Sequence, residues 1–212
     1  MHYAFDKWME KHQQGMLWIR YADDAIIHCQ TEMQAKRMLL KLEERIKACG
    51  LQLHPDKTGV IYCKDSNRKG IYSKYSFDFL GYTFRPRRVR KGGTNKFFVS
   101  FSPSVSNNAM KSMRATIKMM KLHKKTSQSL EDIAKLCNPI LRGWINYYSK
   151  YNKAGLAPVL RHFNKTLIRW AMCKFKNLKG HKTKAAKFLT RIYEEKPDMF
   201  VHWQVGMRGA FA

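Results

Sequence analysis

Apolar and polar residues follow two different patterns along the chain, one in the first 100 residues and another in the remainder. Near the start, residues 2–14 carry the apolar stripe of a helix. Apolar runs at 16–19 and 25–27 then flank a Tyr-Ala-Asp-Asp tetrad at 21–24. Two short apolar runs around a tight turn that contains Asp predict a β-hairpin with acidic side chains at its tip.

A helix and further strands are predicted after this hairpin. Thr31 and Gln34 have the spacing of a capping box, and apolar residues recur near helical spacing until Gly50. Residues 51–53 and 59–63 have the apolar character of short strands on either side of a His-Pro-Asp-Lys loop. Hairpin, helix and strand in this order predict an α+β arrangement.

The aromatic run at 77–84 contains a single glycine and is followed by an apolar run at 96–101. These two runs predict a second β-hairpin. Beyond Pro103 the period becomes helical, and breaks are expected at Asn138-Pro139 and at Gly155. The predicted helices cover about 106–123, 130–151, 156–176 and 184–195. The fold class is therefore α+β, with hairpins and a helix first and an all-α part second.

Positive charge is concentrated in the second half of the chain. The whole chain has 41 Lys and Arg against 15 Asp and Glu, a formal charge of +26. Residues 79–193 contain 26 of these cations and only Glu131 and Asp132 as acids, a net charge of +24. Aromatic residues are interleaved with them, which favours a folded phosphate-binding surface over a disordered tail. A polyanionic partner is expected, either nucleic acid or an anionic membrane surface.

The apolar runs and the cysteines bear on the cellular location of the protein and on the state of its thiols. No apolar run approaches the roughly 18 residues of a membrane span, and no signal peptide opens the chain, so a cytoplasmic location is expected. The five cysteines are odd in number and form no Cys-x-x-Cys pair. Reduced thiols are therefore expected, rather than a disulfide framework or a zinc ribbon.

Two features of the first half bear on chemistry. Asp23 and Asp24 on a rigid turn are oxygen ligands suited to Mg²⁺ at a phosphoryl-transfer centre, although an ordinary surface turn has the same composition. Lys57 lies in a Pro-Asp-Lys-Thr loop from which an ammonium could protonate a pyrophosphate leaving group. A surface lysine in a turn is the alternative interpretation.

Two aromatic motifs are open to more than one interpretation. In Phe79-Leu80-Gly81-Tyr82 the glycine would let a nucleic-acid strand approach the backbone, or it marks a bulge in a hydrophobic strand. The segment 142–148, Arg-Gly-Trp-Ile-Asn-Tyr-Tyr, combines cation, amide and aromatic side chains at helical spacing. Its side chains either stack on bases or pack helices together.

The order of these motifs resembles the reverse transcriptases encoded by bacterial group II introns. The acidic hairpin, the capped helix, the Gly-Leu-Gln-Leu-His-Pro-Asp-Lys-Thr segment and Phe-Leu-Gly-Tyr are similar to the palm of that family. The resemblance implies a C-terminal part of the palm at 1–102, a thumb-like maturase-specific domain at 103–155 and a helical C-terminal extension at 156–212. It also implies an RNA-directed DNA polymerase and maturase whose partner is group II intron RNA.

The resemblance carries site residues with it. Asp23 and Asp24 match the metal-binding carboxylates, and Tyr21 and Ala22 match residues beside the primer terminus and the nucleotide. Lys57 matches the palm lysine. The primer-grip hairpin corresponds to Phe79, Leu80, Gly81 and Tyr82. The RNA-binding residues are expected to be Lys111, Arg114, Lys118, Lys121, Lys124, Lys125, Arg142, Trp144, Asn146, Tyr147 and Tyr148.

One part of the family's pattern is not matched. Its palm has another metal-binding aspartate on an earlier strand, preceded by template-binding fingers, and residues 1–20 contain neither. Asp6 lies on the predicted helix and is no substitute. Because a two-metal site needs carboxylates on both sides of the ions, Mg²⁺ is expected to be weakly held. We expect a C-terminal fragment that is inactive as a polymerase alone and uses a DNA primer and template only when an N-terminal portion is supplied.

Two other classes of function stay open at this point. The chain could be a non-catalytic RNA-binding module that acts as a splicing cofactor. It could also be a basic structural or ribosome-associated protein. The three classes differ in their response to intron RNA at a fixed salt concentration, because phosphate contacts are sensitive to salt.

Overall fold

The computed structural model describes residues 1–68 and 70–206. Over these residues the fold is mixed α+β, with two small antiparallel sheets and seven α-helices, as the sequence predicted. The chain divides into two compact units. The first unit comprises residues 1–79 and 88–100, and the second comprises residues 80–87 and the chain from Phe101 onward.

The first unit opens with helical structure. A π-helical turn, His2–Asp6, continues into α1, Lys7–His12. Phe5 and Met9 are buried from this segment and form the centre of a small apolar core. The predicted helix at the start of the chain is therefore present.

A two-stranded hairpin follows α1. Strands β1, Trp18–Tyr21, and β2, Asp24–Ile27, are antiparallel, with Trp18 opposite Ile27. Because successive strand residues point to opposite faces, Trp18 and Ile27 share one face, and both pack against the core around Phe5. On the other face, Leu17 and Ile19 are exposed.

Helix α2, Glu32–Ala48, covers the same core through Met38, Leu42 and Ile46. The hydroxyl of Thr31 caps it by accepting a hydrogen bond from the backbone of Gln34. Gly50 ends it in a left-handed conformation, with its N–H bonded to the Lys47 carbonyl and the Leu51 N–H bonded to the Ile46 carbonyl. These two bonds form a Schellman motif, so both predicted ends of the helix are confirmed.

The strands predicted at 51–53 and 59–63 are wrong. Both segments are irregular. Their longer-range backbone contacts are isolated bonds, such as the one from the Tyr62 N–H to the Lys74 carbonyl. Apolar residues in these segments therefore meet side chains, as Leu53 does at the core, without the repeated backbone pairing that makes a strand.

A three-stranded sheet is built in the order β3-β4-β5 from Phe77–Phe79, Tyr82–Arg90 and Phe97–Val105. The hairpin between β4 and β5 was predicted. The aromatic run at 77–84, however, is two strands and not one, because the chain reverses at Leu80 and Gly81. Both residues have positive φ, 50° and 77°, which is the backbone of a tight hairpin turn.

Helices dominate the second unit. They are α3, Asn107–Met119; α4, Leu130–Tyr148; α5, Ala157–Lys174; α6, Lys182–Glu195; and α7, Val201–Gln204. Their shared core includes Ile133, Leu141, Phe163, Leu167 and Trp203. None of the helices in the described part of the chain combines the length and the hydrophobicity that a bilayer-spanning segment needs.

The break predicted at Asn138-Pro139 is wrong, because both residues lie inside α4. Cys137 and Leu141 are fully buried on either side of them and anchor the helix to the core. The Asn138 side chain is engaged elsewhere: its amide donates to the Met199 carbonyl at 2.9 Å and its oxygen accepts from the Val201 N–H at 3.1 Å. Burial on both sides of the proline thus outweighs the local cost of proline in the helix.

Candidate functional site

The acidic tetrad lies at the tip of the β1–β2 hairpin. Tyr21 pairs with Asp24, so Ala22 and Asp23 form a two-residue turn. Ala22 has φ 54°, the positive value that such turns require. Asp23 and Asp24 are both exposed. The hairpin therefore presents two adjacent carboxylates to solvent.

Hydrogen bonds from Arg20 to Asp6 and to the backbone of the turn hold this turn in place. The guanidinium of Arg20 donates to both carboxylate oxygens of Asp6, from Nε and from Nη2, each at 2.5 Å. Its Nη1 also donates to the carbonyl of Ala22. The hydrogen bonds between Arg20 and Asp6 are the main cause that lowers the pKa of Asp6 to about 2. Both Asp6 oxygens are thus used to hold the base of the turn and are not directed at a metal site.

Lys57 lies in an exposed turn at 55–57. The turn is closed by a hydrogen bond from the Thr58 N–H to the His54 carbonyl at 2.9 Å. Among the described residues, the Lys57 ammonium has neither a hydrogen bond nor an ion pair. Its role toward a phosphate stays a prediction.

The turn at Leu80 and Gly81 is held by partners within the second unit. Tyr147 donates its hydroxyl to the Leu80 carbonyl at 2.9 Å, and the Ser106 N–H donates to the Gly81 carbonyl at 2.8 Å. A Cβ at position 81 would lie 2.6 Å from the Tyr148 hydroxyl oxygen. Glycine is therefore required both for its positive φ and for space, and the interpretation of Gly81 as a strand bulge is wrong.

Tyr82 is surrounded by tyrosines from the end of α4 and from the turn that follows it. It is buried, donates its hydroxyl to the Tyr147 carbonyl, and has the rings of Tyr147, Tyr148 and Tyr151 at 5.3 to 5.6 Å. Burial raises the pKa of both Tyr82 and Tyr148. Of the two interpretations of segment 142–148, packing is the one observed for Tyr147 and Tyr148, and their contact with RNA stays a prediction.

The other predicted residues of α4 lie on different faces of that helix. Arg142 and Asn146 are exposed and, four residues apart, share one face. Trp144 is half-buried and packs against the helical core. Arg142 and Asn146 are therefore accessible to a nucleic acid, whereas much of the Trp144 ring is covered by protein.

Helix α3 presents Lys111, Arg114 and Lys118 away from its buried residues Met113 and Ile117. Lys111 and Lys118 are exposed, and Arg114 is half-buried. Burial is the main cause that lowers the pKa of His162 on α5, and the positive charges of Arg114 and Lys165 add to it. The α3 side of the helical unit is therefore strongly positive.

Lys121, Lys124 and Lys125 lie in the loop between α3 and α4. Lys121 has φ 47°, a left-handed conformation. Lys121 and Lys124 are exposed and Lys125 is half-buried. In the described part of the second unit, the single ion pair joins Lys196 to Glu131 at 3.0 Å, so almost all of this charge lacks an acidic partner.

Two family models match the chain. Residues 1–84 match the model described as reverse transcriptase (RNA-dependent DNA polymerase), and residues 110–188 match the model described as group II intron, maturase-specific domain. The chain belongs to the group II intron reverse transcriptase/maturase family. No curated protein and no solved structure matches it.

The two matches divide the predicted site residues between them. The reverse transcriptase match contains the acidic tetrad, Lys57 and the Phe-Leu-Gly-Tyr turn. The maturase-specific match contains all the predicted RNA-binding residues and implies intron RNA as a partner. The domain limits 1–102, 103–155 and 156–212 stay predictions, and positions 207–212 of the last domain lie outside the described residues.

The fit of the site to Mg²⁺ depends on its donor set. Magnesium takes six oxygen ligands in octahedral geometry, commonly one or two carboxylates together with water and phosphate. Asp23 and Asp24 are donors of the right kind. Over residues 1–68 and 70–206, however, no three side chains of His, Cys, Asp or Glu are grouped so that they could hold a metal ion. The described residues therefore do not make a self-sufficient magnesium site.

The sequence analysis did not identify several residues that hold the predicted site residues in place by hydrogen bonds. Arg20 braces the acidic turn through Asp6, fourteen positions away, and no local pattern marks that pair. Trp170 and Lys174 bind the loop that carries Lys121 to Lys125. Their spacing of four residues places them on one face of α5, and that was a signal available in the sequence.

Proposed function

We propose that the chain acts as a maturase that binds group II intron RNA through its helical unit, and that by itself it does not copy RNA into DNA. The maturase-specific match over residues 110–188 carries this proposal. It falls on helices whose exposed cations are almost without acidic partners. Phosphate contacts from such a surface supply most of the affinity for RNA.

The absence of a third carboxylate near Asp23 and Asp24 among the described residues supports the second half of the proposal. Two exposed carboxylates bind Mg²⁺ weakly, because each lost ligand must be replaced by water. DNA synthesis on a primer and template is expected only when a second polypeptide supplies further metal-binding carboxylates. A cytoplasmic setting is part of this proposal and accords with five free cysteines.

RNA binding is tested by fluorescence anisotropy of the purified full chain with labelled group II intron RNA. An unrelated RNA of equal length is the competitor, and the salt concentration is the same in both reactions. Substituting Lys111, Arg114 and Lys118 together with Met is expected to weaken binding and to reduce the steepness of its salt dependence by about two to three, since each phosphate contact contributes nearly one.

A matched control removes three cations from the first unit, Lys11, Lys41 and Lys47, which are exposed there. We expect this control to change intron RNA affinity much less, because acidic residues are frequent in that unit. Equal losses from the two triple variants would show attraction by net charge alone and would contradict a binding surface on the helices. Equal affinity for intron RNA and the unrelated RNA would favour a basic structural protein.

A second function, completion of a polymerase, is favoured by the exposed Asp23-Asp24 turn. It is tested by primer extension with Mg²⁺, with and without a separate fingers-and-palm polypeptide. We expect synthesis only in the mixture, and we expect Asp23→Ala with Asp24→Ala to abolish it while RNA affinity stays nearly unchanged. Strong synthesis by the chain alone would refute the proposed inactivity. RNA binding without rescue would leave the splicing-cofactor role.

A further inference from the structure

The loop between α3 and α4 carries three of the lysines predicted to bind RNA. Its backbone is hydrogen-bonded within the loop, from the Lys124 N–H to the Lys121 carbonyl at 2.8 Å and from the Lys125 N–H to the Leu122 carbonyl at 2.9 Å. It makes one 3-10 turn, Leu122–Lys124, in which Leu122 is fully buried. The exposed Lys121 precedes this turn in a left-handed conformation. Because the like charges of this loop repel one another, contacts with the rest of the unit add to the bonds within the loop in holding its shape.

Trp170 of α5 supplies one such contact. The indole is buried, and its Nε1–H donates to the carbonyl of Lys125 at 3.0 Å. A buried donor left without an acceptor is costly, so this bond specifies where the Lys125 backbone lies. The side chains of Lys124 and Lys125 project from a backbone that is fixed at this point.

Lys174, one turn further along α5, supplies the second contact. Its ammonium donates to the carbonyls of Thr126 and Gln128, at 2.8 and 2.7 Å, and lies 5.5 Å from the centre of the Trp170 ring. The hydrogen bonds from Ser129 are the main cause that lowers the pKa of Asp132 at the start of α4, and the charge of Lys174 adds a smaller contribution. Two of the three donors of the Lys174 ammonium are therefore directed at the protein backbone.

We propose that Trp170 and Lys174 are positioning residues for RNA binding. Their hydrogen bonds fix the backbone at 125–128, so that Lys121, Lys124 and Lys125 are presented together to the phosphates of the RNA. This inference rests on the proposed function. Lys174 acts through the loop and does not itself contact RNA. Its contribution to affinity must therefore depend on the lysines that it positions.

A double-mutant cycle tests this dependence by RNA anisotropy with the full chain. We expect Lys174→Met to weaken binding of the intron RNA at least about threefold in the native background, because the loop loses the two hydrogen bonds from the Lys174 ammonium. In a background where Lys121, Lys124 and Lys125 are all Met, the same substitution is expected to have no effect. Lys174→Arg keeps a cation with several donors and is expected to restore most of the affinity.

Two further variants separate positioning from charge and from unfolding. Lys176→Met removes an equal charge from an exposed lysine two positions away, and its effect is expected to be of the same size in both backgrounds. Trp170→Phe removes the indole donor but keeps a ring, and it is expected to reproduce the background-dependent loss. Circular dichroism of each variant verifies that the helices are intact.

The possible results are distinct. A loss from Lys174→Met that is equal in both backgrounds would show direct RNA contact and overturn the inference. No loss from Lys174→Met, or no loss from the triple loop variant while the native chain binds RNA, would overturn the inference but leave the proposed function standing. Absence of RNA binding by the native chain would overturn the proposed function itself, and the inference with it.

Discussion

The buried imidazole of His202 makes the helical unit sensitive to acid. His202 is fully buried on α7, and its Nε2–H donates to the Asn164 side-chain oxygen at 2.6 Å. Its Nδ1 has no hydrogen-bond partner among the described residues. Burial lowers the pKa of His202 to about 3 from an ordinary value of 6.5. The ring is therefore neutral in the folded protein over the whole range in which a solvated histidine becomes charged.

The sign and size of the effect follow from proton linkage. Below pH 6.5 the unfolded chain takes up a proton at His202 and the folded chain does not, so the free energy of unfolding falls as the pH falls, down to about pH 3. Each pH unit in this window costs about 1.4 kcal/mol. Between neutral pH and about pH 5, His202 alone should therefore remove roughly 2 kcal/mol of stability.

Urea unfolding at about pH 7, 6 and 5, followed by circular dichroism of the helices, measures this loss. His202→Gln retains an amide donor near Nε2, but it loses the packing of the buried ring, so its stability at neutral pH is expected to be lower. Because glutamine cannot be protonated, the stability of this variant is expected to fall about 2 kcal/mol less between pH 7 and 5. His181→Gln, at an exposed position, is the control and should follow the native curve. Parallel pH curves for the native chain and His202→Gln would refute the reasoning.

Three other predictions follow from single contacts. Gly81→Ala should cost about 2–4 kcal/mol of stability in urea unfolding, since it combines a positive φ with a steric clash; a loss below about 1 kcal/mol would contradict the turn geometry. Tyr147→Phe should cost about 1 kcal/mol by removing one hydroxyl donor, whereas Tyr151→Phe should be near neutral, and equal losses would refute this assignment. Asp6→Asn should lower the urea midpoint of the first unit more than Lys7→Met, which breaks only an exposed ion pair. Because the pKa of Asp6 is lowered to about 2, its contribution should be present above pH 3.8 and be lost as the pH falls toward 2, and a midpoint that is constant over that range would count against it.

Features set by neighbouring residues were predictable from the sequence. The acidic hairpin, the start of α2 at Thr31 and its end at Gly50 all depend on contacts within a few positions of the chain, and each is present. The α+β class and the helical second half follow from the change of apolar period after Pro103. Order and type of motif were also sufficient to indicate the family.

Features that depend on distant partners were not predictable. Residues 51–53 and 59–63 have the composition of strands, but without a paired neighbour they are irregular. Pro139 has the local signal of a break, yet burial of α4 on both sides keeps it in the helix. The candidate site depends on distant partners in the same way. The space that excludes a side chain at Gly81 is limited by Tyr148, and the loop that carries the lysines is held by Lys174. Local propensity thus determined which elements the chain favours. Tertiary packing decided which of those preferences were overruled and which side chains hold the candidate binding residues in place, because packing free energies exceed local preferences of about 1 kcal/mol per residue.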